Sequence, residues 1–539
     1  MKKIVLLFLI LLANSAFSQE DAWVYFNAKP NMQAFFDNPL SELSQRSLDR
    51  RTAQNIALDS KDAPMHQPFI DQITATDGIV VLAKSKWFNA LHVQGTEEAI
   101  RALTNLSFVE RVDFANRLLN NPLRASTPKK AFKKMHKKFE TDVVFNYGNS
   151  GNQIQMLNGQ LLHQQNYTGT GKIIAVMDGG FPGVNTASTF SRLRDNNQIL
   201  GGYDYVNRNA DFYTGISHGA MVLSTMGGYK DGELVGTAPD ASYYLFITED
   251  GDNEWPLELS LWVEAAEEAD RLGADILTTS LGYTEFDNPN YNFTYNDMNG
   301  ITAFISKGVD MAFSRGMISV NSAGNSGNDP WHYISAPADA IHALAIGAVD
   351  SEGNYASFSS QGPSFDNRVK PDVVAQGQES VLSFTNGTIG TASGTSFSGP
   401  IMAGMIACLW QALPDKTNSE IVQLVKESAS LYANPTNELG YGIPDFNLAL
   451  NTALLNVNSS TNNAFLLFPN PANETISISF PSKFESATFS VYNAVGQLIL
   501  TKNLTNQNSK VELNGIQSGM YLYTLESKTT IQSGKISKQ

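Results

Sequence analysis

Three short segments of this 539-residue chain join a reactive side chain to a backbone setting that could use it. The first is Ile173-Ile174-Ala175-Val176-Met177-Asp178-Gly179-Gly180, an apolar strand pattern ending on a carboxylate followed by glycines. That order puts Asp178 at the C-terminal edge of a sheet, where α/β proteins hold their ligands. An aspartate after a strand also serves as a cap or turn residue. In the second, Ser217-His218-Gly219-Ala220-Met221-Val222-Leu223, His218 opens a small-residue stretch suited to a closely packed helix. A lone histidine there is either a proton acceptor or a structural residue. The third is Ser393-Gly394-Thr395-Ser396-Phe397-Ser398-Gly399-Pro400, which delivers Ser396 to the start of the apolar helix pattern Ile401 to Leu413. Helix N-terminal amides favour developing negative charge, and N-capping is the competing use of such a serine. The other six histidines, His66, His92, His136, His163, His332 and His342, lack comparable contexts.

Taken together and in this order, the three segments resemble the blocks of the subtilisin-like serine proteases, the subtilases. Gly273-Ala274-Asp275-Ile276-Leu277-Thr278-Thr279-Ser280-Leu281-Gly282 looks like that family's substrate-pairing strand, and Ser322-Ala323-Gly324-Asn325-Ser326-Gly327 like its oxyanion segment. Phe358 to Pro363 and Lys370 to Ala375 match as well. The resemblance implies an α/β fold, a subtilisin-like parallel sheet with helices on both faces, and a secreted serine endopeptidase. Asp178, His218 and Ser396 would be the catalytic triad and Asn325 an oxyanion donor. Ser280, Leu281, Gly282, Ala323 and Gly324 would bind substrate. Ser396 is a weak nucleophile at neutral pH and needs His218 to take its proton, while Asp178 would fix the imidazole tautomer. A catalytically silent binding protein on the same scaffold is the alternative from another class.

The sequence departs from the family pattern at several positions. Gly179 replaces the hydroxyl residue that usually follows the aspartate, so a hydrogen bond to Asp178 is expected to be missing. Ala220 and Met221 replace the usual Thr-His, and Phe397, Ser398 and Ile401 replace Met, Ala and His. Two other motifs are coincidences. Gly215-Ile216-Ser217-His218-Gly219 fits an esterase elbow but lacks the preceding strand. Gly169-Thr170-Gly171-Lys172 precedes a strand, whereas a phosphate loop follows one.

The elements that must carry these residues follow from composition and pattern. At about 150 residues per domain the length allows three to four units. Hydrophobic residues make up 42%, which excludes a disordered chain, and a net charge of −15 argues against nucleic acid as partner. The single cysteine, Cys408, excludes an intrachain disulfide, a thiolate zinc site and a CxxC redox pair, and reads as a small buried hydrophobe. Residues 1–18 read as a signal peptide: Lys2 and Lys3, the apolar run Ile4 to Leu12, and Ala16-Phe17-Ser18 at the cut. Nowhere do the 18 apolar residues of a membrane span occur.

Strand and short-helix patterns over 19–125 suggest a small α+β domain, followed by a basic linker at 126–142 (Thr127 to Lys138 carries three Lys pairs). From 143 to 452 continuous apolar strands alternate with helix patterns such as Leu257 to Leu272, the mark of a parallel sheet covered on both faces. A polar linker, 453–464, precedes period-two strands over 465–539, a small β-sandwich. The first domain resembles a subtilase propeptide, which implies an intramolecular inhibitor. Phe468-Pro469-Asn470-Pro471, Val491 to Gly496, Ser518-Gly519-Met520-Tyr521 and the final Gly534 to Lys538 resemble a type IX secretion sorting domain, which implies the type IX machinery as partner and a secreted or cell-surface destination. The expected substrates are proteins or peptides, and no cofactor is required. Asp204, Asn207, Asn209 and Asp211 lie where some subtilases bind calcium, but turn residues explain them equally well, and no metal is assigned.

Overall fold

The computed structural model describes residues 19–120, 145–457 and 465–538, without 469, 471, 481–483, 494–495 and 528–530. The expected signal peptide, the basic linker and most of the polar linker lie outside the described residues. Contacts divide the chain into two units, the second comprising Asn451–Gln539 with a short internal segment.

The first unit opens on an antiparallel sheet of β1 (Gln19–Phe26), β2 (Ile79–Ser85), β3 (Ala90–Thr96) and β4 (Val109–Phe114), in the order β2-β3-β1-β4. β1 is apolar on both faces because both are covered. Ala22, Val24 and Phe26 pack with Ile73 and Ile100 of their own domain. Trp23 and Tyr25 instead join the core built on α3 (Leu257–Leu272) and α4 (Phe304–Ser314), with the Trp23 ring stacked on Phe304 at 4.9 Å. A period of two therefore sends alternate side chains into two cores.

Seven parallel strands form the central sheet: β5 (Ile173–Asp178), β6 (Ile199–Asp204), β7 (Ser242–Ile247), β8 (Ile276–Thr279), β9 (Ile318–Ser322), β10 (Leu344–Val349) and β11 (Val373–Gln376). Their order is β11-β10-β9-β8-β5-β7-β6. β5, β8, β9 and β10 are buried at every position, as strands of a sheet covered on both faces are. Ile173, Ala175 and Met177 of β5 face α3 and α4. On the other face lie α2 (His218–Gly227) and α5 (Thr395–Ala412), which pack on β5 and on each other. After β5 the chain builds β6 and β7 to one side and then crosses to β8 on the other. That reversal opens a crevice at the strand C-termini, the usual ligand position in such sheets.

α1 (Gln45–Ala53) of the N-terminal domain docks on the C-terminal end of α3. Arg50 and Arg51 both pair with Asp270, and Arg46 pairs with Asp275 at 2.6 Å. Glu267 of α3 accepts from Ser85 Oγ at 2.5 Å and from the Lys86 and Trp87 amides at 3.0 Å.

In the second unit, Leu466–Phe468, Thr475–Ser479 and Lys510–Glu512 form one sheet, and Ser486–Tyr492, Leu498–Thr505, Gly519–Glu526 and Ile531–Lys538 another. Phe465, Ile476, Phe489, Val491 and Leu525 fill a shared core between them. The helix Phe446–Val457 runs into the stretch expected as a polar linker, because buried Ala453 continues the period of Ala449 and Leu450.

Candidate active site

β5 carries Asp178 to the sheet edge, wholly buried, and Gly219 lets the first turn of α2 approach it closely. A Cβ on Gly219 would stand 2.5 Å from the Gly180 carbonyl and 2.9 Å from Asp178 Cβ. With that approach His218 Nδ1 lies 2.9 Å from Asp178 Oδ1, which also accepts the Gly179 amide at 2.8 Å. The Asp178 carboxylate pushes the His218 imidazole up to about 9, against the opposing effect of burial. The ring of Phe397 lies 6.0 Å from that of His218. A charged imidazolium is thus stabilised where a general base needs it once it has taken a proton.

Ser396 stands in the first turn of α5, released by Gly394 at φ 157°, a conformation side-chain-bearing residues rarely adopt. Pro400 sits four residues beyond Ser396 and has no amide to give the Ser396 carbonyl. Ser280 Oγ donates to that carbonyl instead, at 2.9 Å, and Ser322 Oγ donates to the Thr395 carbonyl at 2.8 Å. The ends of β8 and β9 are thereby pinned to the start of α5. The Ser396 hydroxyl itself donates to the Ser280 carbonyl at 3.4 Å.

Asn325 Oδ1 accepts from the Thr395 amide at 2.8 Å and the Thr395 hydroxyl at 2.9 Å, which fixes the amide group and leaves Nδ2 as its donor. A cavity of about 110 Å³ is lined by Ser280, Leu281, Gly282, Gly324, Asn325 and Ser396, among others. Five of the residues expected at the site, and Ser396, therefore share one wall. Ala323 does not. Its amide continues the ladder to Ile346, and its side chain packs with Ile334, Ala338 and Ala345 behind the cavity. Sequence reasoning passed over Thr284 and Ser335, which also line the cavity. Neither lies in a recognisable block, so proximity in the fold was the only signal.

Two further expectations have structural counterparts. Asp178 Oδ2 is buried without a hydrogen-bond partner among the described residues, the consequence of a glycine at 179. Cys408 is fully buried, its thiol against the Thr237 carbonyl at 3.2 Å, and burial pushes its pKa well up. The Asp204 carboxylate accepts from the Asn207 amide at 2.8 Å and from Asn207 Nδ2 at 2.9 Å. His92, which stands in no local motif, is buried where the N-terminal domain meets α3. Its ring nitrogens lie 2.8 Å from Ser260 Oγ and 2.9 Å from Asp21 Oδ1.

Known proteins agree with this architecture. Residues 21–134 match the peptidase S8 propeptide domain of Bacteroidota, and 466–539 match a secretion system C-terminal sorting domain. The latter is of the type IX kind and marks a secreted or cell-surface protein. Among the described residues no helix is long and apolar enough to cross a membrane. Subtilisin E from Bacillus subtilis (strain 168) is 29% identical over 288 residues, 52% of this chain and 66% of that protein. The chain thus spans just under two thirds of that relative's length. Subtilisin BL from Lederbergia lenta is 29% identical over 282 residues, 52% of this chain and 91% of that protein. Among solved structures, the MycP3 protease from the type VII (ESX-3) secretion system is similar at 20% identity and a TM-score of 0.45, over 59% of this chain and 92% of that one. The subtilase family model matches residues 169–442, just over half of the chain and the whole of the central sheet, and the chain belongs to that family.

Proposed function

We propose that the chain is a secreted serine endopeptidase that hydrolyses peptide bonds in proteins through Asp178, His218 and Ser396. The observation that carries this reading is the buried carboxylate–imidazole pair, 2.9 Å long, at the sheet edge from which α2 and α5 start. Ser396 turns its hydroxyl from the Ser280 carbonyl to His218 Nε2, loses its proton there and attacks the scissile carbonyl. Asn325 Nδ2 and the Ser396 amide donate to the oxyanion of the tetrahedral intermediate. His218, held as imidazolium by Asp178, gives its proton to the leaving amine, and an acyl-enzyme forms on Ser396. Water, activated by His218, then releases the acid. The backbone of Ser280, Leu281 and Gly282, with Gly324, pairs with the substrate. Every group used is a protein group or water, so no cofactor takes part.

Proteins or peptides are the substrates, and the docked N-terminal domain is the enzyme's own inhibitor until it is cut away. The type IX machinery reads the C-terminal domain. A fluorophosphonate probe should label matured protein on Ser396. The purified Ser396→Ala variant should lose proteolysis by a factor of order 10⁶. Cleavage retained by that variant, or unlabelled matured protein, would refute the assignment.

A further inference from the structure

Asp178 has one oxygen accounted for and one not. Oδ1 meets His218 and the Gly179 amide, whereas Oδ2 is buried and without a partner among the described residues. A buried carboxylate oxygen left bare is costly, so something is expected to donate to it. The residue after Asp178 has no side chain to do so.

The space a side chain at 179 would enter is already taken. A Cβ on Gly179 would stand 2.6 Å from Ile216 Cγ1 and 3.1 Å from Glu249 Oε2. Glu249 arrives there because β5 and β7 pair in parallel, Asp178 opposite Ile247, and the Thr248 amide donates to the Asp178 carbonyl at 3.0 Å. Ile216, whose amide donates to the Gly179 carbonyl at 3.0 Å, lies over both Gly179 and Gly251 and closes this corner.

We propose that the Glu249 side chain, as a neutral carboxylic acid, takes the place of the missing hydroxyl and donates a hydrogen bond to Asp178 Oδ2. Glu249 is then a positioning residue: it holds the carboxylate that holds His218. Its protonation agrees with its surroundings. Burial and then the Asp178 charge push Glu249 up to about 8, so it carries its proton at neutral pH. Its charged and titratable neighbours are Asp178 on β5, His218 on α2, Glu254 in the following loop, Glu258 on α3 and Tyr283. Of these, the Asp178 and Glu254 charges oppose its ionisation, and His218 favours it. Because His218 and Glu249 titrate as a coupled pair, the productive state is neutral His218 with protonated Glu249. Alkali removes the Glu249 proton and with it the donor.

The inference rests on the proposed triad, and its test separates the two. Matured wild type, Glu249→Gln and Glu249→Leu are compared for fluorophosphonate labelling and for kcat and KM on one peptide between pH 6 and 10. Gln keeps a donor that cannot ionise, so its kcat should stay within about threefold of wild type while the alkaline fall disappears. Leu keeps the bulk and loses the donor, so kcat should drop about tenfold or more at unchanged KM, the loss expected for one hydrogen bond to a charged group. Gly179→Ser with Ile216→Ala, placed in the Leu background, returns a hydroxyl to the corner and should restore kcat. Labelled wild type with equal kcat in all variants would overturn the inference and leave the triad standing. So would an alkaline fall unchanged in Glu249→Gln, which also decides the matter should the Leu variant fail to mature. Wild type that neither cleaves nor labels would remove the proposed function itself.

Discussion

Asp270 is the most exacting place to perturb the docking of the N-terminal domain. Its carboxylate is fully buried between Arg50 and Arg51, whose side chains are 4% and 2% exposed. Asp270→Asn keeps shape and one acceptor but removes the charge that both guanidiniums share. Breaking a buried pair by removing one partner costs about 3–5 kcal/mol, because the other charge stays buried and uncompensated. Arg50 retains the Ala274 and Arg315 carbonyls and Arg51 retains Asp62, so the lower end applies. About 3 kcal/mol corresponds to docking weakened roughly 150-fold. In matured enzyme the arginines are gone and residue 270 is solvated, so the same change should leave kcat/KM as it was. The assay is dilution of enzyme whose N-terminal domain has been cut but not degraded. Activity should appear at a concentration about 150-fold higher in Asp270→Asn than in wild type. Glu97→Gln breaks an exposed pair with Arg101 within the same domain and should move that concentration by less than about fivefold. Release of Asp270→Asn at the wild-type concentration would refute the reasoning that this buried charge holds the domain.

Two further outcomes follow from the site. Because Asp178 pushes His218 up to about 9, the neutral imidazole that accepts the serine proton is lost as pH falls, and the acid limb of kcat/KM should lie well above the ordinary 6.5 of histidine; a pH profile with its acid limb at 6.5 or below contradicts the pairing. Ser280→Ala removes the donor that substitutes for the missing Pro400 amide, leaves the Ser396 carbonyl bare, and should cost about 1–3 kcal/mol of stability together with a fall in kcat, read by thermal melting and steady-state kinetics.

Elements whose residues are buried on every side were legible in the sequence, and those depending on their neighbours were not. β5 and α3 stand where the apolar run and the helical period put them, α3 to the residue at Leu257–Leu272. β6 was invisible because Ile199-Leu200-Gly201-Gly202-Tyr203-Asp204 is an edge strand with two glycines, and only pairing with β7 makes it one. The three residues of the proposed triad announced themselves through blocks of local chemistry. Ala323 marks what such a block leaves open: it tells which segment lines the cavity, but not which of its side chains turns inward. Glu249 and His92 carry no local mark at all, since each matters through a partner from a distant segment, Gly179 in one case and Asp21 and Ser260 in the other.

If the N-terminal domain is cut away as proposed, the distribution of charge along α3 ties its docking to the solubility of what remains. Ser260, Glu264, Glu267 and Asp270 are the residues by which this helix holds Trp23, Lys84, Ser85 and the arginines of α1. Leucines at those positions could dock a domain as tightly, since buried ion pairs roughly break even against apolar packing. They would then leave a contiguous apolar face on an exported enzyme after its N-terminal domain is gone, and such faces associate. Carboxylates behave differently in the two states. Buried, they are satisfied largely by the N-terminal domain's own donors, with Arg208 completing Glu264, which makes docking specific. Uncovered, they are rehydrated, and that recovered solvation helps the cut domain to leave. On the proposed reading, a helix lined with acids on its outer face would serve the precursor as a lock and the matured enzyme as hydrated surface.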